Sequence, residues 1–330
     1  YADRFVSWSW LPPSSLPVGL PAVTFIDQKR AGAKDRSCGL TMAALLRCYR
    51  ASRFGQIAFT RQTGHHRPVK GIAMLRFSAN LGFLWTDLAL PDAVRAAAAA
   101  GFDAVECHFP FAIAPDEVAA ALIATNMHML GLNTRRGDLA DDFGLAAMVG
   151  REAAARAAID EAVGYAAAIE ARAVHVMAGR SGGGKAAARC FRANLAYAAA
   201  VAAAHGITIL VEPINRRDVP DYHLSTTEDA VDVIAAVGAK NIKMMFDCYH
   251  IQIMQGDLTH RIRAYLPYIG HVQIAAVPDR GEPDDGELDY RYLLTTLDAA
   301  GYEGYVGAEY RPRTTTAAGL GWLTAARSWS

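Results

Sequence analysis

The stretch Thr208-Ile-Leu-Val-Glu-Pro-Ile-Asn215 decides how this chain is read. A β-branched, apolar run stops on a carboxylate, a proline and an asparagine. A glutamate adds nothing to the packing of a buried strand, and unpaired Glu is almost never fully buried. Three later segments have the same form: Met244-Met-Phe-Asp247, His271-Val-Gln-Ile-Ala275 and Tyr305-Val-Gly-Ala-Glu309. Each sets an oxygen-bearing side chain at or near the end of an apolar run. The reading is that Glu212, Asp247, Gln273 and Glu309 meet at one mouth and share a metal.

The surrounding pattern supplies the scaffold for such a mouth. From Met74 onward, apolar strand segments at 75–79, 104–106, 127–132, 173–177, 207–211, 242–246, 269–275 and 305–308 alternate with helical segments. The helices are expected at 91–100, 115–125, 150–170, 186–205, 257–266, 290–300 and 317–326, with one more beginning after the capping-box pattern Ser225-Thr-Thr-Glu228 and ending near Gly238. Strands alternating with helices imply a parallel sheet. Eight such units in about 250 residues match a closed (β/α)₈ barrel, whose active sites lie at the C-terminal ends of the strands. A doubly wound sheet has less support, because no G-x-G-x-x-G follows the first strand. Ser181-Gly-Gly-Gly-Lys185 lacks P-loop spacing and reads as a flexible loop, so no nucleotide cofactor is expected. Lys185 could still meet an anionic substrate there.

Composition excludes several classes. The 330 residues are 52% hydrophobic and carry no net charge. Residues 1–73 hold 11 Lys/Arg against 3 Asp/Glu, whereas 74–330 hold 22 against 30. That split sets a boundary near Met74. The segment 1–73 is basic, lacks Glu and clusters prolines at Pro12, Pro13, Pro17 and Pro21. It is expected to be a poorly ordered, non-barrel extension without catalytic residues, and a non-native extension is preferred to a targeting leader. The domain 74–330 is mildly acidic without a basic stripe, so no nucleic-acid partner is expected. No apolar run is long enough to span a bilayer. Five cysteines without a C-x-x-C suit a reducing compartment, here the cytoplasm. The sequence leaves open whether the chain forms a homo-oligomer.

Three carboxylates converging on one point raise one another's pKa unless a cation sits among them. Oxygen ligands suit Mg²⁺ or Mn²⁺. A lone histidine such as His250, three residues after Asp247, is more often a packing or surface residue. An anionic substrate also needs a cation; Arg216, Arg217 and Arg280 lie in loops just beyond Glu212 and Gln273, and an arginine fork suits carboxylate. Asn80 and Glu106 end the first two strands and could line the pocket, or Glu106 could orient a helix or a neighbouring arginine.

Glu212-Pro-Ile-Asn215, Phe246-Asp-Cys-Tyr-His-Ile-Gln-Ile-Met-Gln-Gly-Asp257, Gly270-His-Val-Gln-Ile-Ala275 and Gly307-Ala-Glu-Tyr310 with Gly319-Leu-Gly-Trp322 resemble the hydroxypyruvate isomerase family, one of the xylose-isomerase-like TIM barrels. Leu132-Asn-Thr134 and Gly150-Arg-Glu152 add support. The resemblance covers 74–330 and none of 1–73. It implies that Glu212, Asp247, Gln273 and Glu309 bind a divalent metal and that Glu212 and Glu309 are proton donor and acceptor. It also ranks Arg280 first among the cations and makes His250 a candidate substrate contact. The implied activity is an aldose–ketose isomerisation of a small hydroxy-oxo acid, hydroxypyruvate to 2-hydroxy-3-oxopropanoate. The alternatives are a 2-oxotetronate isomerase, an epimerase or dehydratase on the same site, or an inactive barrel that binds sugar acids. Ala276, Gly281 and His108 depart from the family pattern and bear on substrate identity more than on metal binding.

Overall fold

The computed structural model describes residues 75–329; what the sequence suggests for 1–73 lies outside the described residues. Eight parallel strands follow the chain: β1 (Arg76–Asn80), β2 (Ala104–Glu106), β3 (Leu132–Asn133), β4 (Ala173–His175), β5 (Thr208–Val211), β6 (Ile242–Asp247), β7 (Ile269–Ile274) and β8 (Tyr305–Ala308). Hydrogen-bonded neighbours run β2-β1-β8-β7-β6-β5-β4-β3. First and last strands therefore pair, and the ring is a nearly closed barrel with one seam between β2 and β3. There Val105 and Met129 form an isolated parallel bridge, reinforced by Val105 N donating to His128 O at 2.9 Å and Cys107 N to Gly131 O at 3.0 Å. The strand expected at 127–132 shrinks accordingly: only its last residue, Leu132, enters a regular ladder, opposite Val174 of β4.

The helices are α1 (Leu90–Ala99), α2 (Pro115–Thr125), α3 (Glu152–Ala168), α4 (Gly184–Ala203), α5 (Thr227–Val237), α6 (Cys248–Met254), α7 (Leu258–Tyr265), α8 (Tyr290–Ala300) and α9 (Gly321–Ala326). Three begin where the sequence signals a start. Proline opens α1 and α2, where a missing N–H costs nothing, and Asp289 caps α8 by accepting from Tyr292 N at 3.0 Å. The cap of α5 sits one residue later than the capping-box reading: Thr226, not Ser225, accepts from the backbone, at Asp229 N. Glu228 is thereby freed to bind Arg261 and Gln255. The short α6, with 7 residues, has no amphipathic repeat to announce it; Asp247 caps it by accepting from Tyr249 N at 2.8 Å. No helix among the described residues is long and apolar enough to cross a membrane.

Strand alternation places the site. Side chains facing out of the barrel, such as Val105, Val174, Val211, Phe246, Val272 and Val306, join the large core shared with the helices. Side chains facing in form two separate plugs, Ala104 with Leu130 and Tyr305, and Ala173 with Leu210 and Met245. Two residues beyond a plug residue, the same face of the strand carries polar groups: Glu106 after Ala104, His175 after Ala173, Glu212 after Leu210 and Asp247 after Met245. The period of two that fills the barrel also lifts these groups to its C-terminal rim.

Candidate active site

At that rim the ladders bring the expected residues together. Asp247 is in register with Gln273, and Gln273 with Gly307. Glu212 and Glu309 are the first residues past β5 and β8. The two glutamates and His250 line one cavity of about 240 Å³, together with His175, Asp218, Arg136, Arg280 and Arg311. Ligand-type atoms of Glu212, Asp247 and His250 lie within 4.8 Å of one another. Asn80 belongs here too: its Nδ2 donates to Glu309 Oε2 at 2.9 Å.

Three members are tethered by hydrogen bonds. Asp247 spends Oδ1 on capping α6. Gln273 donates Nε2 to Glu106 Oε2 at 2.8 Å. Glu309 is clamped between Asn80 and Arg280, whose Nη2 lies 2.6 Å from Oε1. What remains is a set of buried acceptors without hydrogen-bond partners, namely Glu212 Oε1, Asp247 Oδ2 and Gln273 Oε1. Orphaned buried oxygens are costly and call for a ligand. All are oxygen donors, the preference of a hard divalent cation. The charge balance points the same way. Burial, then the charges of Glu309 and Asp247, push Glu212 well above the usual carboxylate range. Burial lifts Glu309 to about 8 and Asp247 to about 6 even though Arg280 opposes both. The residues present fit a divalent cation.

His250 stands beside this set with a different task. Asn215 is oriented by Asp218, whose N donates to Asn215 Oδ1 at 2.8 Å and whose Oδ2 accepts from Asn215 Nδ2 at 3.1 Å. That orientation makes Asn215 Nδ2 donate to His250 Nδ1 at 2.6 Å. The proton of the neutral ring is then on Nε2, 3.5 Å from Asp247 Oδ2 and 3.7 Å from Glu212 Oε1. Burial holds the ring well below its ordinary pKa. A nitrogen that carries its proton can donate a hydrogen bond and cannot at the same time ligate a metal.

Arg280 is set with some strain. Its φ of 60° lies in the left-handed region, which costs a non-glycine residue about 1–3 kcal/mol and clusters at functional sites. Its N donates to Ala276 O and its O accepts from Arg311 N. The guanidinium lies against the rings of Phe83 and Tyr249, at 4.7 and 4.9 Å, and its buried Nε has no partner. Two other expected cations are elsewhere. Lys185 falls in the first turn of α4 and lines a separate cleft with Arg192, His223 and Asp232. Arg216 is exposed and does not line the cavity, because the turn at Asn215 faces His250 and sends the next residue outward. Arg217 is bound to Tyr249 Oη and Pro278 O.

The structure adds residues that the sequence reading passed over. His175 ends β4 as Glu212 ends β5, with Nδ1 3.6 Å from Glu212 Oε2 and Nε2 buried without a partner; the signal, an apolar run ending in a polar residue, was there in Ala173-Val-His175. Arg136 stands at the exposed rim of the cavity, 4.6 Å from the ring of Phe143, and nothing in its local sequence distinguishes it from Arg135, which instead binds Glu161.

A family model described as xylose isomerase-like TIM barrel matches residues 94–326. The chain belongs to the xylose isomerase-like TIM barrel family. Within that family it is 47% identical over 254 residues to 2-oxo-tetronate isomerase of Cupriavidus necator, a match covering 76% of this chain and 98% of that protein. It is 37% identical over 254 residues to hydroxypyruvate isomerase of Escherichia coli, with coverage of 76% and 98%. Among solved structures, the AP endonuclease, family 2, of Brucella melitensis superposes with a TM-score of 0.74 at 42% identity, covering 76% of this chain and 99% of that one. The resemblance read from the strand-end motifs is thus borne out, and the chain is an isomerase-family enzyme.

Proposed function

We propose that the barrel isomerises a short hydroxy-oxo acid, moving a carbonyl between adjacent carbons, with a divalent cation held by Glu212, Asp247, Gln273 and Glu309. The observation that carries this reading is that Glu212 and Asp247, each with a buried unpartnered oxygen, bring ligand-type atoms within 4.8 Å of each other, while Gln273, in register with Asp247, holds a third such oxygen and the clamped Glu309 lines the same cavity as Glu212. Bound there, such a cation would supply Lewis-acid polarisation of the substrate's oxygens and offset negative charge developing on them. The chain's own residues do the rest. Glu212 and Glu309 face the same cavity, so one can take the proton beside the carbonyl and the other return it on the next carbon. His250 Nε2–H offers a donor to a substrate oxygen. Arg280 Nε and the rim guanidinium of Arg136 are the cations for the substrate carboxylate, which arginine grips through paired N–H groups.

The substrates to weigh are hydroxypyruvate and its four-carbon homologue 2-oxo-tetronate. The 47% identity to a 2-oxo-tetronate isomerase favours four carbons. An isomerisation assay of the full chain with added Mn²⁺ or Mg²⁺, run on both acids and repeated after chelation, tests the proposal. The expected result is turnover of at least one acid that disappears on chelation and returns with metal. Turnover of neither acid with metal present would overturn it.

A further inference from the structure

Glu106 lies among the donors of Gln273, His271 and Ser78 and has no place in the proton transfer. Its Oε2 accepts from Gln273 Nε2 at 2.8 Å. Both of its oxygens lie within 3.2 Å of His271 Nε2, and Oε1 also accepts from Ser78 Oγ at 3.2 Å. The carboxylate is thus an acceptor surrounded by donors. It is 4% exposed, so water does not substitute for any of them. A glutamine side chain ends in two groups of nearly equal size and opposite sense, and packing alone does not choose between them. Glu106 chooses: Nε2 must turn toward the carboxylate, and Oε1 is left facing the other way, buried and without a partner.

The backbone preserves room for this arrangement. A Cβ built on Gly307 would collide with Glu106 Oε1, would stand 2.8 Å from His271 Nε2 and would crowd Gln273 Cγ at 3.1 Å. Gly307 has no positive φ to explain it. The missing side chain is the space that Glu106 needs to reach across the barrel from β2 to β7.

We infer that Glu106 is a positioning residue for the cation site: by accepting from Gln273 Nε2 it aims Gln273 Oε1 at the point where Glu212 and Asp247 also leave an oxygen free. The inference rests on the metal reading proposed above. It assigns Glu106 an effect exerted chiefly through Gln273, over and above the charge that Glu212, Asp247 and Glu309 also feel from it.

The test is Mn²⁺ affinity of the full chain, read by calorimetry, with thermal melts beside it. Glu106→Leu removes the acceptor and is expected to weaken Mn²⁺ binding about tenfold to a hundredfold, the usual cost of losing a partner behind a ligand. Glu106→Gln keeps an acceptor for Nε2 without the charge and should stay within about threefold of the wild type. In a Gln273→Met background, Glu106→Leu should add nothing further, since the group it aims is gone. Wild-type affinity in Glu106→Leu, or the same loss in both backgrounds, overturns the inference. Equal losses in the Leu and Gln variants also overturn it, because they would trace the effect to charge. Should the Leu variant melt below assay temperature, the Gln variant decides alone: affinity within about threefold supports the inference and a tenfold loss refutes it. Failure of the wild type to bind Mn²⁺ is a separate outcome, and it removes the metal reading itself.

Discussion

Glu106 is 4% exposed, and at the mouth Glu212, Asp247 and Glu309 are 6%, 0% and 7% exposed. Their burial is alike and their electrostatics are opposite. Burial pushes Glu106 up, but His271, Gln273 and Ser78 more than offset it and carry the carboxyl below its ordinary value. Burial pushes the mouth acids up and their few donors do not offset it. The difference lies in the donors supplied. Around Glu106 the chain provides its own; at the mouth it leaves oxygens over. Glu309 finds donors in Asn80 and Arg280, whereas Glu212 and Asp247 each keep a buried oxygen without one, and such a gap in a native structure calls for an explanation.

The sharpest way to break the contrast is to neutralise the mouth. Glu212→Gln and Glu309→Gln should each lower kcat by roughly 10²–10⁴-fold, the range for a lost proton-transfer group, as measured on whichever acid the wild type turns over. Next in size is a pH signature. Glu309 is raised from an ordinary 4.5 to about 8, so without metal the folded chain binds more protons than the unfolded one between those values, and stability falls as pH rises through that window. Chelated protein should therefore melt at progressively lower temperature from about pH 4.5 to about 8. Saturating Mn²⁺ should remove the slope, and melts that stay flat in the chelated state would count against it. Glu106 has the opposite sign: its depressed pKa contributes stability that is present above 4.5 and lost as pH falls below it.

Arg136→Met should raise KM about tenfold with little change in kcat, as expected for one charged hydrogen bond to a substrate carboxylate; an unchanged KM would leave Arg280 alone in that role. Gly307→Ala presses a methyl group onto Glu106 and should cost about 1–3 kcal/mol, the usual range for overpacking, measurable by denaturant titration. Smallest is a control on the outer surface. Glu228 lies in a network with Gln255, Arg261 and Thr227 that lowers it from 4.5 to about 2 although burial works against this. Glu228→Gln should leave neutral stability within about 1 kcal/mol, as for other exposed pairs, and lessen only the acid loss below about pH 4.5.

Most of the barrel was legible because its signal repeats. Ala104–Glu106, Pro115–Thr125, Tyr290–Ala300 and Tyr305–Ala308 have the bounds read from sequence. The four strand-end oxygens were legible for the same reason: each interrupts an apolar run. The misses concern direction. Lys185 and Arg216 lie near the right loops in sequence, but a helix start turned one away and a backbone turn the other. Glu106 was visible as a strand-end acid, yet its partners are 165 and 167 residues away on β7, a distance that no local pattern spans. Asp247 as a cap was missed because α6 is too short to show a repeat.

A cylinder gives way along its weakest stave. In this barrel that line runs between β2 and β3, while β5 to β8, the walls that bear the four oxygens, are each hydrogen-bonded to the next away from it, with one register shift at Met244/Met245. Thermal breathing should concentrate at the seam, and amides such as Val105 and Leu130 should exchange with solvent before those of β6 and β7. The site is built on the rigid side of its own container, and Glu106 is the strut that ties the loose wall to it.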